Sequence, residues 1–148
     1  MIVDTHVHYD DEAFSEDREA VFREIKEAGV GLVVNIGSSL ASAKESVRLS
    51  GEYDFIYAAV GVHPSEIEEL REEDMSWLLD AAKLEKVVAV GEIGLDYHYD
   101  EPDRELQKKW FIRQLKLAGE AGLPVCIHSR DAAADTLEIM QKEHAEKL

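Results

Sequence analysis

Cysteine and long apolar runs are scarce in this sequence. Cys126 is the only cysteine among 148 residues, which excludes an internal disulfide and is typical of proteins in the reducing cytoplasm. Because it lies in an apolar run, we predict a small core residue rather than a nucleophile. No apolar run approaches the roughly 20 residues of a membrane span, and the N-terminus lacks the basic and apolar regions of a secretory signal. We therefore expect a cytoplasmic protein with no membrane partner.

Positive charge is also scarce. The sequence has 16 Lys and Arg against 32 Asp and Glu, a formal net charge of -16. This balance argues against a protein that holds nucleic acid by a basic surface. If the substrate is a phosphate ester, bound cations must offset the local negative field.

Three common catalytic motifs are missing. The sequence contains no G-x-S-x-G elbow, no Walker-type loop and no Cys-x-x-Cys. Catalysis by a nucleophilic serine or cysteine therefore has no support.

Five apolar runs rich in Val and Ile alternate with helical patterns from end to end. Their alternation predicts a parallel sheet with right-handed crossovers, and their ends lie about 30 residues apart, the size of one unit of a (β/α)8 barrel. A doubly wound sheet would show a glycine-rich loop after its first strand, and none is present. The runs are Ile2–His6, Gly31–Ile36, Ile56–Gly61, Val87–Glu92 and Pro124–His128.

The sequence thus predicts an α/β protein, a TIM (β/α)8 barrel of which about five βα units are present. The composition, 45% hydrophobic and 32% charged, suits a single domain spanning residues 1–148. Closure would need roughly three more units. We expect the open first and fifth strands either to drive self-association or to be completed in a longer protein.

Helix boundaries can also be predicted. Ser15 is expected to cap the first helix, which Gly29 should end. The clearest helical pattern runs from Asp103 to Gly122, and a last one runs from Ala132 to about Lys147.

Polar side chains at the strand ends predict a metal site. His6 and His8 should project to one face of an extended strand, where two imidazoles can bind one divalent cation. Glu92 follows a buried strand, and a carboxylate there is costly unless it is paired or bound to metal. A carboxylate can bridge two cations, and His128, after the fifth run, is a candidate ligand of the second. These donors suit Zn²⁺, Mn²⁺ or Mg²⁺.

Three further residues are expected near this site. His63 is held by Pro64 at a sharp exit from its strand, and we interpret it as facing substrate rather than metal. Arg130 could bind a phosphate or carboxylate, or could form an ion pair with Asp131 or a nearby Glu. Asp96 is a candidate acceptor for a ligand histidine. By contrast, we expect His98 and His144 to be solvated.

Four motifs in order along the chain resemble the TatD family of metal-dependent deoxyribonucleases. They are Asp4-Thr5-His6-Val7-His8, Gly61-Val62-His63-Pro64, Gly91-Glu92-Ile93-Gly94-Leu95-Asp96 and His128-Ser129-Arg130-Asp131-Ala132. Gln107, Phe111 and Gln114 extend the resemblance. It implies a TIM barrel, a two-metal centre and hydrolysis of DNA phosphodiesters, often from a 3′ end.

The resemblance also implies roles for single residues. His6 and His8 would hold the first ion, Glu92 would bridge both ions, and His128 would hold the second. His63 and Arg130 would lie along the substrate path, which makes Glu92 and His63 the candidate catalytic residues. The family's remaining His and Asp, after the sixth and eighth strands, have no counterpart in these five units.

The sequence leaves two alternatives open. An amidohydrolase-type enzyme acting on amides or esters shares the H-x-H pattern, although its lysine is absent at the fourth strand end, where Glu92 lies. The second alternative is a non-catalytic fragment that retains part of such a site.

Overall fold

The computed structural model describes residues 1–148, in which five parallel strands form one sheet with the order β1-β2-β3-β4-β5. Each strand pairs with the next one along the chain. A doubly wound sheet reverses its strand order, whereas this unbroken order is that of a barrel. The structure confirms the predicted part of a (β/α)8 barrel with five βα units. The strands are Ile2–Val7 (β1), Val30–Ile36 (β2), Ile56–Val60 (β3), Val87–Asp96 (β4) and Val125–Arg130 (β5).

A helix follows each strand. The helices are Arg18–Glu27 (α1), Leu40–Glu52 (α2), Glu72–Ala81 (α3), Arg104–Ala121 (α4) and Ala133–Lys142 (α5). Short 3₁₀ turns lie at Glu12–Phe14, Pro64–Glu66 and Ala145–Lys147. None of the helices combines the length and apolar character needed to cross a bilayer.

The predicted helix ends are partly right. Asp103 accepts hydrogen bonds from the amides of Glu105 and Leu106 at the start of α4, and Gly122, with φ of 67°, ends that helix as predicted. The prediction for Ser15 is wrong. Ser15 closes the preceding 3₁₀ turn by donating its amide to Glu12, and α1 begins only after Asp17.

Strand β4 is longer than predicted and extends through Asp96. Beyond Glu92 the strand continues its pairing with β5, where Gly94 lies opposite His128. Gly94 has φ of 147°, and a Cβ atom there would collide with the backbone oxygen of His128. The glycine lets the two strands approach closely, so their polar ends meet.

The main hydrophobic core lies between the helices and the central strands. It includes Val60 of β3, Val90 of β4, and Phe111 and Leu115 of α4. By contrast, neither β1 nor β5 contains a buried residue. The two outer strands are therefore open edges.

Candidate metal centre

The carboxyl ends of the strands bring the predicted ligands together. Two groups of donor atoms form, each with all its atoms within 4.8 Å of one another, and Glu92 belongs to both. The first group contains His6, His8 and Glu92, and the second contains His63, Glu92 and His128. Imidazole nitrogens with a carboxylate form a donor set that fits Zn²⁺ or Mn²⁺.

Glu92 lies between two histidines from opposite edges of the sheet. Its Oε2 is 3.5 Å from Nε2 of His6, and its Oε1 is 3.2 Å from Nδ1 of His128. The side chain is only 14% exposed. Each carboxylate oxygen thus faces its own histidine, an arrangement that allows one oxygen for each of two cations.

His6 is the most exposed of these candidate ligands because β1 is an edge strand. Its Nδ1 lies 3.4 Å from the Cys126 sulfur. Cys126 is only partly buried, so the prediction of a core residue is wrong: its strand has no neighbour on one side. Burial and the nearby Glu92 charge raise the pKa of the Cys126 thiol, which disfavours the reactive thiolate.

His8 is oriented by the backbone of β2. Its Nδ1 lies 2.9 Å from the carbonyl oxygen of Ile36. Because a carbonyl can only accept, Nδ1 carries the proton and Nε2 keeps a free lone pair. This is the arrangement that a metal-binding histidine requires.

His128 lies between two carboxylates. Its Nε2 is 2.9 Å from Oδ2 of Asp96, on the side opposite Glu92. Although burial alone would raise the pKa of Asp96, hydrogen bonds from the His98 amide and from His128, together with the Arg130 charge, lower it overall. The ionised Asp96 accepts the Nε2 proton and leaves Nδ1 directed toward Glu92, as expected for an acceptor behind a ligand histidine.

His63 has the opposite tautomer from His8. Its Nδ1 accepts a hydrogen bond from the Ser65 amide at 3.1 Å, so the neutral ring carries its proton on Nε2. Burial, followed by the neighbouring His128, holds the pKa of His63 below its usual value. The ring packs edge-on against His128 at 4.2 Å between centroids. A neutral ring with Nε2–H can donate a hydrogen bond, which is compatible with the predicted substrate-facing position.

Arg130 lies at the end of β5 and forms no ion pair. Asp131 instead contacts Nδ1 of His98 at 3.2 Å. The predicted alternative of an Arg130–Asp131 pair is therefore wrong. His98 and His144 are both exposed, as predicted, although each also contacts a carboxylate.

Sequence reasoning missed a buried polar network that fixes the turn after His8. Asn35 of β2 is fully buried, accepts a hydrogen bond from the Tyr9 amide at 2.6 Å, and donates to Asp10 at 2.7 Å. Ser42 donates to the other oxygen of Asp10. An asparagine inside an apolar run was the available signal, because a buried amide must find partners.

Two buried glutamines of α4 hold strand ends from behind. Gln114 accepts from the amide of Val62 at 2.8 Å and donates to its carbonyl at 3.0 Å. Gln107 makes the corresponding pair of hydrogen bonds with the backbone of Asp96. Their spacing of seven residues puts both amides on one face of the helix. One helix thus positions the strand ends that carry His63 and Asp96.

Comparisons with known proteins find several related sequences. The family model described as TatD-related DNase matches residues 3–148. An uncharacterized metal-dependent hydrolase, YabD of Bacillus subtilis, is 41% identical over 148 residues, which is 100% of this chain and 58% of the relative. The 3′-5′ ssDNA/RNA exonuclease TatD of Shigella flexneri is 30% identical and covers 87% of this chain and 50% of the relative.

A solved structure has the same fold. The crystal structure of YjjV, a TatD homologue from Escherichia coli, superposes with a TM-score of 0.90 at 35% identity and covers 98% of this chain. The superposition includes 57% of the YjjV chain. The chain therefore spans about half the length of the relatives that it matches.

Proposed function

Because the chain belongs to the family of TatD-related DNases, we propose that the complete protein is a metal-dependent hydrolase of DNA phosphodiester bonds. Membership confirms the resemblance of the four motifs. The observation that carries the proposal is the position of Glu92, whose two oxygens face His6 and His128 at 3.5 and 3.2 Å.

Two divalent cations, Zn²⁺, Mn²⁺ or Mg²⁺, would complete the site. His6, His8 and Glu92 would hold the first, and Glu92 and His128 the second. Such cations supply the positive charge that activates water and neutralises a phosphodiester. In a chain of net charge -16, this is the source of positive charge that a phosphate substrate requires.

The protein's own side chains would orient the substrate. His63 presents Nε2–H because Ser65 occupies its Nδ1, so it is suited to donate a hydrogen bond to a phosphate oxygen. Arg130 has no carboxylate partner and could bind a second phosphate. Asp96 keeps His128 turned toward Glu92.

The substrate is proposed to be single-stranded DNA. The TatD proteins of Shigella flexneri and Erwinia tasmaniensis, named 3′-5′ ssDNA/RNA exonucleases, are 30% and 33% identical to this chain over 129 residues. No observation favours the amide- or ester-cleaving alternative, because Glu92 occupies the position that its lysine would take.

The test is cation binding by calorimetry. Glu92→Gln keeps the size of the side chain but removes the charge shared by both groups, and we expect roughly 10²-fold weaker Mn²⁺ or Zn²⁺ binding. Altering groups that only support ligands already costs about 10- to 100-fold. Glu66→Gln is the matched control, because Glu66 lines the same polar cavity as His8, His63 and Glu92.

Hydrolysis is measured on the complete protein with single-stranded DNA. We expect metal-dependent cleavage that Glu92→Gln abolishes and Glu66→Gln preserves. Unchanged cation affinity in Glu92→Gln would remove Glu92 from the centre. Cleavage that persists with chelator would overturn the metal-dependent mechanism.

A further inference from the structure

A second candidate surface lies beside the candidate metal centre, in the loop that follows β4. Tyr99 is 61% exposed, and it is the only Phe, Tyr or Trp of the chain whose side chain is exposed rather than buried or half-buried. Its ring lies beside the guanidinium of Arg130, with 5.6 Å between Cζ and the ring centroid. An exposed aromatic ring beside an unpaired cation is unusual in this acidic chain.

The loop is held in place rather than free. The Tyr97 amide donates to the carbonyl of Arg130 at 2.9 Å, and the His98 amide donates to Oδ1 of Asp96 at 3.0 Å. The His98 ring contacts Asp131 and packs edge-on against Tyr99, with 4.7 Å between centroids. These contacts order the backbone that carries Tyr99 and place one aromatic neighbour against its ring, which reduces the entropy lost on binding.

The loop is also joined to the metal centre through one carboxylate. Oδ1 of Asp96 accepts from the His98 amide, while Oδ2 contacts Nε2 of His128. Tyr99 is three residues from this carboxylate, and Arg130 is two residues from His128. The aromatic ring, the guanidinium and the proposed ligands therefore share one end of the sheet.

We propose that Tyr99 and Arg130 form a nucleotide-binding site, in which the phenol ring stacks on a base of single-stranded nucleic acid and Arg130 binds an adjacent phosphate. This inference rests on the proposed function. Stacking accepts any base because every base has a π-face, and guanidinium groups bind phosphate oxygens in pairs. With a net charge of -16, long-range attraction of a polynucleotide is absent, so a few local contacts must supply the affinity.

The experiment separates base contacts from phosphate contacts. Binding of a fluorescent oligothymidylate and of an abasic strand of equal length is measured by anisotropy with the complete protein. Tyr99→Ala should weaken oligothymidylate binding roughly tenfold, as expected for one lost stack, and leave abasic binding unchanged. Tyr99→Phe should bind like the wild type, whereas Arg130→Gln should weaken both strands equally.

Leu137→Ala is the matched control, because Leu137 is also exposed, at 57%, but lies on α5. Cleavage kinetics supply a second readout: Tyr99→Ala should raise KM for oligothymidylate and leave kcat unchanged. If the wild type binds and cleaves the strand but Tyr99→Ala matches it, the nucleotide site is wrong and the nuclease proposal stands. If the wild type neither binds nor cleaves any single strand, the proposed function fails and the nucleotide site fails with it.

Discussion

The position of one proton distinguishes the histidines of the centre. Nδ1–H of His8 donates a hydrogen bond to the carbonyl oxygen of Ile36, whereas Nδ1 of His63 accepts a hydrogen bond from the amide of Ser65. The first ring therefore offers a lone pair at Nε2, and the second offers a proton there. Two histidines of identical composition are thereby suited to opposite tasks, one to bind a cation and the other to bind an anion.

The first residue-scale prediction concerns His63. Because its Nε2 is a donor, His63→Ala should lower kcat on a DNA strand by roughly 10²-fold, as expected for one lost hydrogen-bond donor at a reacting phosphate. Cation affinity, measured by calorimetry, should stay unchanged. If His63→Ala binds one cation fewer than the wild type, His63 is instead a metal ligand.

A second residue-scale prediction concerns pH. Burial, followed by the hydrogen bond to Asp135, raises the pKa of Tyr97 to about 12. The folded state holds this proton more tightly than the unfolded chain, whose tyrosines titrate near pH 10. The protonated Tyr97 hydroxyl therefore makes its full contribution to the free energy of unfolding below pH 10, and this contribution is lost as the pH rises through about 12.

Tyr97→Phe removes that contribution. We expect it to lower the free energy of unfolding by about 1 kcal/mol at pH 8, because the hydroxyl donates to a carboxylate that keeps Lys108 as a second partner. In urea titrations, the difference between wild type and variant should stay constant up to about pH 10 and shrink as the pH rises toward about 12. A difference that does not shrink between pH 10 and pH 12 would contradict the role of the hydroxyl proton.

At the scale of elements, α4 both packs against the sheet and forms hydrogen bonds to the ends of its strands. Its buried glutamines supply hydrogen bonds to backbone groups of the strand ends that would otherwise be unpaired. Gln114→Ala would leave the amide and carbonyl of Val62 buried without partners, at about 1–3 kcal/mol for each unpaired group. We expect urea unfolding to show a loss of about 3 kcal/mol and kcat to fall because His63 follows Val62.

The control for this prediction is Gln141→Ala, an exposed glutamine on α5. It should change neither stability nor kcat. If Gln114→Ala is as stable as the wild type, α4 does not hold this strand end.

The strands and the cluster around Glu92 could be predicted from the sequence, whereas the contacts of the buried glutamines could not. Alternating apolar runs predicted all five strands, and polar residues after those runs predicted the cluster around Glu92, because parallel strand ends meet at one edge. The glutamine contacts could not be predicted, since each depends on a backbone atom 11 or 52 residues away. The extension of β4 was missed because it depends on the close approach of Gly94 to the backbone of His128, which the sequence does not show.

At the scale of the whole molecule, the two outer strands determine how the 148-residue chain behaves alone. Ile2 and Val3 of β1 are 55% and 47% exposed, and an open apolar edge promotes association. We expect residues 1–148 to self-associate in sedimentation velocity, and we expect Val3→Lys to reduce the association. Leu137→Lys on α5 is the control, and a monomeric wild-type chain at all concentrations would contradict the prediction.

The unbroken strand order also has a consequence for synthesis. Every strand after the first pairs with the one made just before it, so a ribosome releases each new strand beside a partner that already exists. Each pairing joins strands that are neighbours in the sequence, so it closes a shorter loop than a pairing between distant strands would. The proposed centre behaves differently, because His6 meets Glu92 only after β4 has emerged. The growing chain can therefore assemble its scaffold progressively, whereas it acquires its first complete set of candidate ligands in a single late step.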